Sequence, residues 1–294
     1  MLRRSFGGHG LQVSAVGLGT SRLNPLSGPK RFEEALAVIR ECVARGITFF
    51  DTADSYGAGW SERWLGKALR RDRTDVMIST KFGLPRTFLA KSWTRVSQKS
   101  TFTNDRDPFK PFRSPYARSA VEGSLRRLRT EYLDVVLLHS PPREVIENSE
   151  WMETLSDLKS EGKVRLYGVS VDNTDNAIAA IKAGVDVIQT KINVCSVDEV
   201  APALDLAASM GVAVIGRQVF GSGSLLRELS DRLPQVSMTA ISATLLSEVL
   251  SQKQVSLALI GMSSMEHVRV NLAARSVRPE TTRRVASAAL EACL

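Results

Sequence analysis

The stretch FFDTADSYG at residues 49 to 57 places an aspartate, Asp51, at the end of an apolar run and a tyrosine, Tyr56, five residues later. A carboxylate just past a buried strand, with a phenol on the turn that follows, suits chemistry better than packing. Two further apolar runs end in the same way: VMIST leads into Lys81 and LDVVLL into His139. In a barrel of alternating strands and helices, the C-terminal ends of the strands form the edge where active sites sit. A lysine buried beside an aspartate keeps its charge. At about 4 Å and an effective dielectric of about 20, that cation favours an ionised phenol by about 4 kcal/mol. Tyr56 can then serve as a general acid or base. Such a phenol suits proton delivery to a carbonyl oxygen as hydride reaches the carbon, with His139 holding that oxygen by a hydrogen bond. Singly, each residue has a plain structural role: helix cap, surface aromatic, solvated strand end, rim histidine. Their meeting at one point is what carries the chemical reading.

The elements that must position them are legible as a repeat. Apolar runs recur at 13–18, 47–50, 76–80, 133–138, 164–169, 185–190, 212–216 and 255–260, each followed by an amphipathic stretch. The stretch at 31–46 shows the pattern, with Phe32, Ala35, Leu36, Val38, Ile39, Cys42 and Val43 on one face and Gly46 as its stop. Eight strand-then-helix units without a break predict a closed (β/α)8 TIM barrel, an α/β fold, as one domain over residues 1–294. Ahead of the first unit, LRRSFGGHGLQVS reads as a short β-hairpin able to plug the barrel floor.

After the third strand the repeat is interrupted by a long loop, residues 82–113. Lys81 and His139 lie 58 residues apart where Asp51 and Lys81 lie 30 apart, and the difference matches the insert. It carries Arg86, Lys91, Arg95, Lys99, Arg106, Lys110 and Arg113 against Asp105 and Asp107, so most of the chain's net charge of +8 lies there. Following a strand end, it is placed to act as a cationic lid over the mouth, with Phe88, Trp93, Phe102, Phe109 and Phe112 as its apolar wall. An anionic carbonyl compound is the substrate such a lid favours. The basic residues form no helix stripe and come with no nucleic-acid motif, so no nucleic-acid partner is expected.

With 43% apolar residues the chain can fill a core, and no apolar run approaches the roughly 20 residues of a membrane span. The beginning MLRRSFGGHG lacks the apolar stretch of a signal peptide, so the expected location is cytoplasmic, with no membrane partner. Cys42, Cys195 and Cys293 are too few and scattered for a disulfide framework or a spaced metal site, and are expected as reduced thiols. His9, His139 and His267 are too few for a metal-dependent hydrolase on a barrel, so no metal is expected. GLGTSR at 17–22 begins like a dinucleotide fingerprint but lacks its third glycine.

FDTADSYG, STKFG, LLHSPP, YGVS and IGMSSMEHVRVNL together resemble, in order and spacing, the aldo-keto reductase family. The likeness covers nearly the whole chain from LQVSAVGLGT onward. It implies a metal-free (β/α)8 oxidoreductase that reduces aldehydes, ketones or keto sugars with NADPH, or runs the reverse oxidation. Its catalytic tetrad falls on Asp51, Tyr56, Lys81 and His139. By resemblance Tyr56 is the proton donor, Lys81 tunes it, Asp51 holds Lys81, and His139 positions the carbonyl.

The cofactor contacts implied are Gly19, Thr20, Asp51, Ser170 and Gln189 around the nicotinamide. Arg217 stands where many members stack a tyrosine, and Gln218, Phe220, Gly221 and Gly223 follow the pyrophosphate. Gly261, Ser263, His267 and Asn271 lie toward the adenosine end. This sequence departs from the pattern in two places. Val171 stands where an asparagine commonly holds the carboxamide, which leaves that contact to Ser170 and Gln189. Gly261 and His267 stand where NADP-selective members carry a lysine and an arginine, so NAD is the alternative cofactor. A helix start near Met265 still offers an anion site. Trp60 and Trp93 are the candidate substrate walls, although Trp60 and Trp64 also fit one helix face packed on the barrel. The alternatives to an NADPH-dependent carbonyl reductase are an NAD-dependent aldose or alcohol dehydrogenase and a cofactor-binding regulatory protein with little turnover.

Overall fold

Period-two alternation decides which way each strand side chain of this fold points. The computed structural model describes residues 1–26, 28, 31–84, 112–148, 150–273 and 279–293. Among the described residues ten strands form: β1 Arg3–Ser5, β2 Gln12–Ser14, β3 Val16–Gly19, β4 Phe49–Asp51, β5 Met77–Phe82, β6 Leu133–His139, β7 Val164–Ser170, β8 Val187–Lys191, β9 Ala213–Arg217 and β10 Leu257–Gly261. The last eight close into a barrel in sequence order, with β10 pairing parallel to β3 to seal it. The (β/α)8 expectation holds.

Inside each barrel strand, alternate residues face the barrel axis and the surrounding helices. Phe49, Met77, Val135, Leu137, Leu166, Val187, Ala213, Ile215, Leu257 and Leu259 fill the interior as one cluster. Their neighbours Val16, Leu18, Phe50, Ile78, Val136, Leu138, Val169, Ile188, Val214 and Ile260 pack against the helices as another. Following the interior parity toward the C-terminal end of each strand gives Gly19, Asp51, Lys81, His139, Ser170, Gln189 with Lys191 one step beyond it, Arg217 and Gly261. The polar residues read from the sequence therefore form the uppermost layer inside the barrel, above two layers of hydrocarbon. Pairing sets some of them side by side, with Gly19 opposite Asp51, His139 opposite Ser170, and Ser170 opposite Gln189, while Arg217 lies opposite Lys191.

β1 and β2 pair antiparallel as the expected hairpin. Phe6 and Val13 are both fully buried within the interior cluster, and the Phe6 and Phe49 rings lie 5.6 Å apart. Gly8 N–H donates to the Gly211 carbonyl at 2.8 Å, next to the start of β9, so the hairpin closes the floor opposite the polar layer. The expected first strand, 13–18, needs correction: a bend at Ala15 divides it between β2 and β3. Its apolar residues are continuous because Val13 fills the floor while Val16 and Leu18 pack outward, which hides the break.

The helix Phe32–Ala44 buries Ala35, Leu36, Val38, Ile39 and Cys42, and Gly46 (φ 85°) ends the turn as expected. Asn173, Ser237 and Ser264 cap their helices by accepting from the N–H three residues on, at Asn176, Ala240 and His267. The expectation of three reduced cysteines is overturned. Cys195, in the loop after β8, is disulfide-bonded to Cys293 beyond the helix Pro279–Glu291, 98 residues away. Sequence spacing cannot report such a pair, because the barrel's closure is what brings its last helix beside that loop. Cys42 stays free, and burial pushes its thiol up to about 12. Of the 82–113 insert, residues 85–111 and hence Trp93 lie outside the described residues. Phe112 packs on Phe82 with ring centres 6.4 Å apart. Among the described residues no helix is long and apolar enough to cross a membrane.

Candidate active site

Lys81 is 1% exposed and Asp51 4%, an ion pair sunk in the polar layer. Lys81 Nζ donates to Asp51 Oδ2 at 2.5 Å and to the Thr52 carbonyl at 2.9 Å, which fixes the ammonium between β4 and β5. The other carboxylate oxygen, Asp51 Oδ1, accepts from Gln189 Nε2 at 3.0 Å. Gln189 Oε1 in turn accepts from Ser170 Oγ at 2.9 Å. A continuous chain, Ser170 to Gln189 to Asp51 to Lys81, thus crosses the top of the barrel.

Tyr56 enters this layer on a tight turn. Gly57 (φ 57°), Ala58 (φ 55°) and Gly59 (φ 89°) are successively left-handed, a conformation that glycine adopts without a Cβ penalty and Ala58 holds against one. The turn leads into the helix Trp60–Ala68, which is locked from below by a second buried ion pair. Glu62, fully buried, accepts from Arg127 Nε at 2.5 Å and from Thr80 Oγ1 at 2.7 Å. Thr80 is the neighbour of Lys81, so the helix that follows Tyr56 and the strand that carries Lys81 share one anchor.

Lys81 Nζ lies 5.1 Å from the centre of the Tyr56 ring. The His139 ring meets the Tyr56 ring edge-on, at 5.8 Å and 82°. Burial, reinforced by the positive charges of Lys81 and Arg217, holds the His139 pKa well below its ordinary value, so its imidazole is neutral near pH 7. Its Nδ1 is buried without a partner. The structure brings Asp51, Tyr56, Lys81 and His139 together at one point of the rim. A phenol beside a fixed cation, with a neutral imidazole at its edge, can deliver a proton to an oxygen held between them. Among the described residues no group of three or more histidine, cysteine or acidic side chains is placed to hold a metal ion.

A model of the aldo/keto reductase family matches residues 15–242. The chain belongs to the aldo/keto reductase family. L-galactose dehydrogenase of Arabidopsis thaliana is 31% identical over 92% of this chain and 87% of its own length. The crystal structure of a putative aldo-keto reductase from Pseudomonas aeruginosa superposes with a TM-score of 0.69 at 26% identity, covering 97% of this chain and 94% of that one. An aldo-keto reductase from Bacillus halodurans shares the fold, with a TM-score of 0.75 at 24% identity over 98% of this chain and 96% of its own. As a family member, this aldo/keto reductase is an NAD(P)-dependent oxidoreductase acting on a small-molecule carbonyl.

The reductase has room and donors for a nicotinamide cofactor beside the tetrad. Arg217 Nε is buried without a partner, and a Cβ added at Gly223 or Gly261 would meet nothing within 4 Å. The segment after β9 bends through left-handed Gln218, Gly221, Ser222 and Gly223 and opens directly into the helix Ser224–Arg232. Within the bend Gly221 N–H donates to the Gln218 carbonyl at 2.9 Å and Gly223 N–H to the Phe220 carbonyl at 2.8 Å, and the start of the following helix turns its positive dipole end toward the loop. Phe220 is turned into the apolar shell at 8% exposure. At the start of the helix Met265–Leu272, two donors are already engaged. His267 N–H donates to Ser264 Oγ, and Ser263 N–H to His267 Nδ1. Asn271 is buried on the same helix.

Thr20 is fully buried. Its hydroxyl donates to the Asp51 carbonyl at 2.9 Å and bonds with Ser61 Oγ at 2.7 Å, so it braces Asp51. Gly19 faces the barrel axis beside it. Trp60 is exposed, with the Arg63 guanidinium 5.4 Å from its ring centre. It lines a cavity of about 950 Å³ together with Phe32, Trp64, Lys67 and Arg126, and no tetrad residue lines that cavity. Trp64 packs on Phe32 at 5.6 Å, as the helix-face alternative anticipates.

Three participants escape sequence reading. The Thr52 carbonyl is backbone and leaves no trace in residue type. Asn193 Nδ2 donates to the Gln218 carbonyl at 3.2 Å, which pins the loop after β9. Asp172 pairs with Arg217 across the top of β8. For Asp172 a signal exists, since it stands two residues beyond the strand-end Ser170.

Proposed function

We propose that this protein is an NADPH-dependent carbonyl reductase of aldehydes, ketones or keto sugars, with Tyr56 as the proton donor. The observation that supports the reading best is the buried Lys81–Asp51 pair set beneath the Tyr56 ring, with the neutral His139 at that ring's edge. The bound cofactor supplies the hydride. The chain's own residues handle the oxygen: His139 donates a hydrogen bond that orients it, and Tyr56 gives it a proton. The Lys81 ammonium, 5.1 Å from the ring centre, faces the oxygen that gives up the proton. Asp51 and the Thr52 carbonyl keep the ammonium in place, and Gln189 keeps Asp51 in place.

NADP is the preferred cofactor on this reading, supported by the family's general use of NADP(H); the loop 218–223 would serve the pyrophosphate of either dinucleotide. A second reading runs the same proton path in reverse, as an NAD-dependent sugar or alcohol dehydrogenase. It is favoured by the 31% identity to an L-galactose dehydrogenase. In that direction Tyr56 takes the hydroxyl proton as base.

The test is absorbance at 340 nm with NADPH and NADH against a panel of aldehydes and keto sugars, and with NADP and NAD against aldoses. Wild type and Tyr56→Phe are assayed side by side. A loss of 10²-fold or more in the variant, roughly the worth of a positioned general acid, with cofactor binding retained, is the expected result. Equal turnover by both proteins removes Tyr56 from the mechanism. No turnover by either, with cofactor still bound, moves a regulatory, slowly turning protein to the front.

A further inference from the structure

Away from the tetrad, the outer wall of the barrel carries a second concave site. The helices Trp60–Ala68 and Ser114–Leu128 touch backbone to backbone, where a Cβ at Gly66 would lie 2.1 Å from the Leu128 carbonyl oxygen. Beside that contact opens the cavity of about 950 Å³ that Trp60 lines. Arg63, Lys67, Arg126 and Arg129, all exposed, form its cationic wall. Among the described residues none of the four has a carboxylate partner, and no acidic side chain lines the cavity. Arg127 also reaches it, but Glu62 already balances that charge.

Helix dipoles account for only part of this wall. Lys67 and Arg126 lie in the last turns of their helices, where a cation is favoured, whereas Arg63 lies near the start of its own, where it is not. Arg129 closes its helix in the left-handed conformation (φ 55°), a place that glycine or asparagine fills at lower cost. Trp60 adds a flat apolar face, for it stays 43% exposed although the Arg63 guanidinium lies 5.4 Å from its ring centre. The volume falls within the range of small-ligand sites, about 300–1,000 Å³. A ring to stack on and several unbalanced positive charges select a compact ligand that is both aromatic and polyanionic. We propose that this cavity binds a nucleoside polyphosphate, with Trp60 stacking on the base and Lys67, Arg126 and Arg129 holding the phosphates.

Calorimetric titration of the full-length protein with ATP, adenosine and inorganic triphosphate tests this. A metal chelator is present, and NADP is in excess so that the nicotinamide-cofactor cleft does not contribute to the heat. ATP should bind, adenosine should not, and triphosphate should bind on the order of 10-fold more weakly than ATP, the worth of one base stacked on an aromatic side chain. Trp60→Ala should lower ATP to the affinity of triphosphate and leave triphosphate unchanged. Arg126→Gln combined with Arg129→Asn, both at exposed positions and the second suited to a left-handed cap, should weaken ATP and triphosphate alike on the order of 10-fold. No ATP binding in the presence of NADP would overturn the proposal, as would equal affinities for ATP and adenosine. Equal affinities for ATP and triphosphate would overturn its nucleoside part. ATP binding that the arginine double variant leaves unchanged would place the nucleotide elsewhere and overturn it as well. None of these outcomes bears on the reductase reading, since no tetrad residue lines the cavity.

Discussion

Replacing Lys81 by methionine separates what the buried pair does for stability from what it does for chemistry. Methionine fills the space of the lysine stem and removes the ammonium, so Asp51 keeps its charge at 4% exposure with one remaining side-chain donor, Gln189 Nε2 at 3.0 Å. Breaking a buried pair from one side costs about 3–5 kcal/mol. The double variant Lys81→Met/Asp51→Asn removes the stranded charge as well, and should recover at least half of that loss. Activity should not recover. Without the cation, 5.1 Å from the Tyr56 ring centre, proton delivery loses its supporting charge, and kcat/KM should fall on the order of 10²-fold in both variants. Urea denaturation of the three proteins gives the stability cycle, and 340 nm assays give the kinetic one. If the double variant is as unstable as the single, the loss comes from packing and not from an unpaired carboxylate. If it regains activity along with stability, Lys81 is a structural residue and its place under Tyr56 is incidental.

Two further outcomes follow from the same geometry. Because folding depresses the His139 pKa, the unfolded chain takes up that proton first as pH falls. The contribution to stability is complete above the unfolded value of about 6.5 and is lost below it, by at most about 1.4 kcal/mol per pH unit. The difference in urea midpoint between pH 7.5 and 5.5, taken here as roughly one unit either side of that value, should therefore be larger for wild type than for His139→Gln. Parallel pH dependences would contradict it. The Cys195–Cys293 bond closes a 98-residue separation, for which chain entropy gives up to about 4–5 kcal/mol. Thiol reductant should lower the wild-type urea midpoint, and Cys293→Ser should be equally destabilised but indifferent to reductant. Identical wild-type midpoints with and without reductant would show that the bridge contributes nothing.

By itself the sequence determined the barrel and the identity of its polar layer. Strand alternation is a local property: once VMISTK is read as a strand with Met77 inside, Lys81 must also face inside, two steps higher, and LDVVLLH places His139 by the same count. A strand-end residue type therefore survives as a readable sign of chemistry, and Asp51, Lys81 and His139 were legible on that ground. What only the tertiary structure decided are the relations between strands far apart in the chain. Gln189 reaches Asp51 across 138 residues, Arg217 reaches Asp172 across 45, and Cys195 reaches Cys293 across 98. None leaves a spacing pattern, because each partner's position is set by closure of the barrel and not by the residues around it. The split of residues 13–18 between floor hairpin and barrel belongs with them. Val13 and Val16 are equally apolar in sequence, and only the closed barrel gives one a floor to plug and the other a helix to meet.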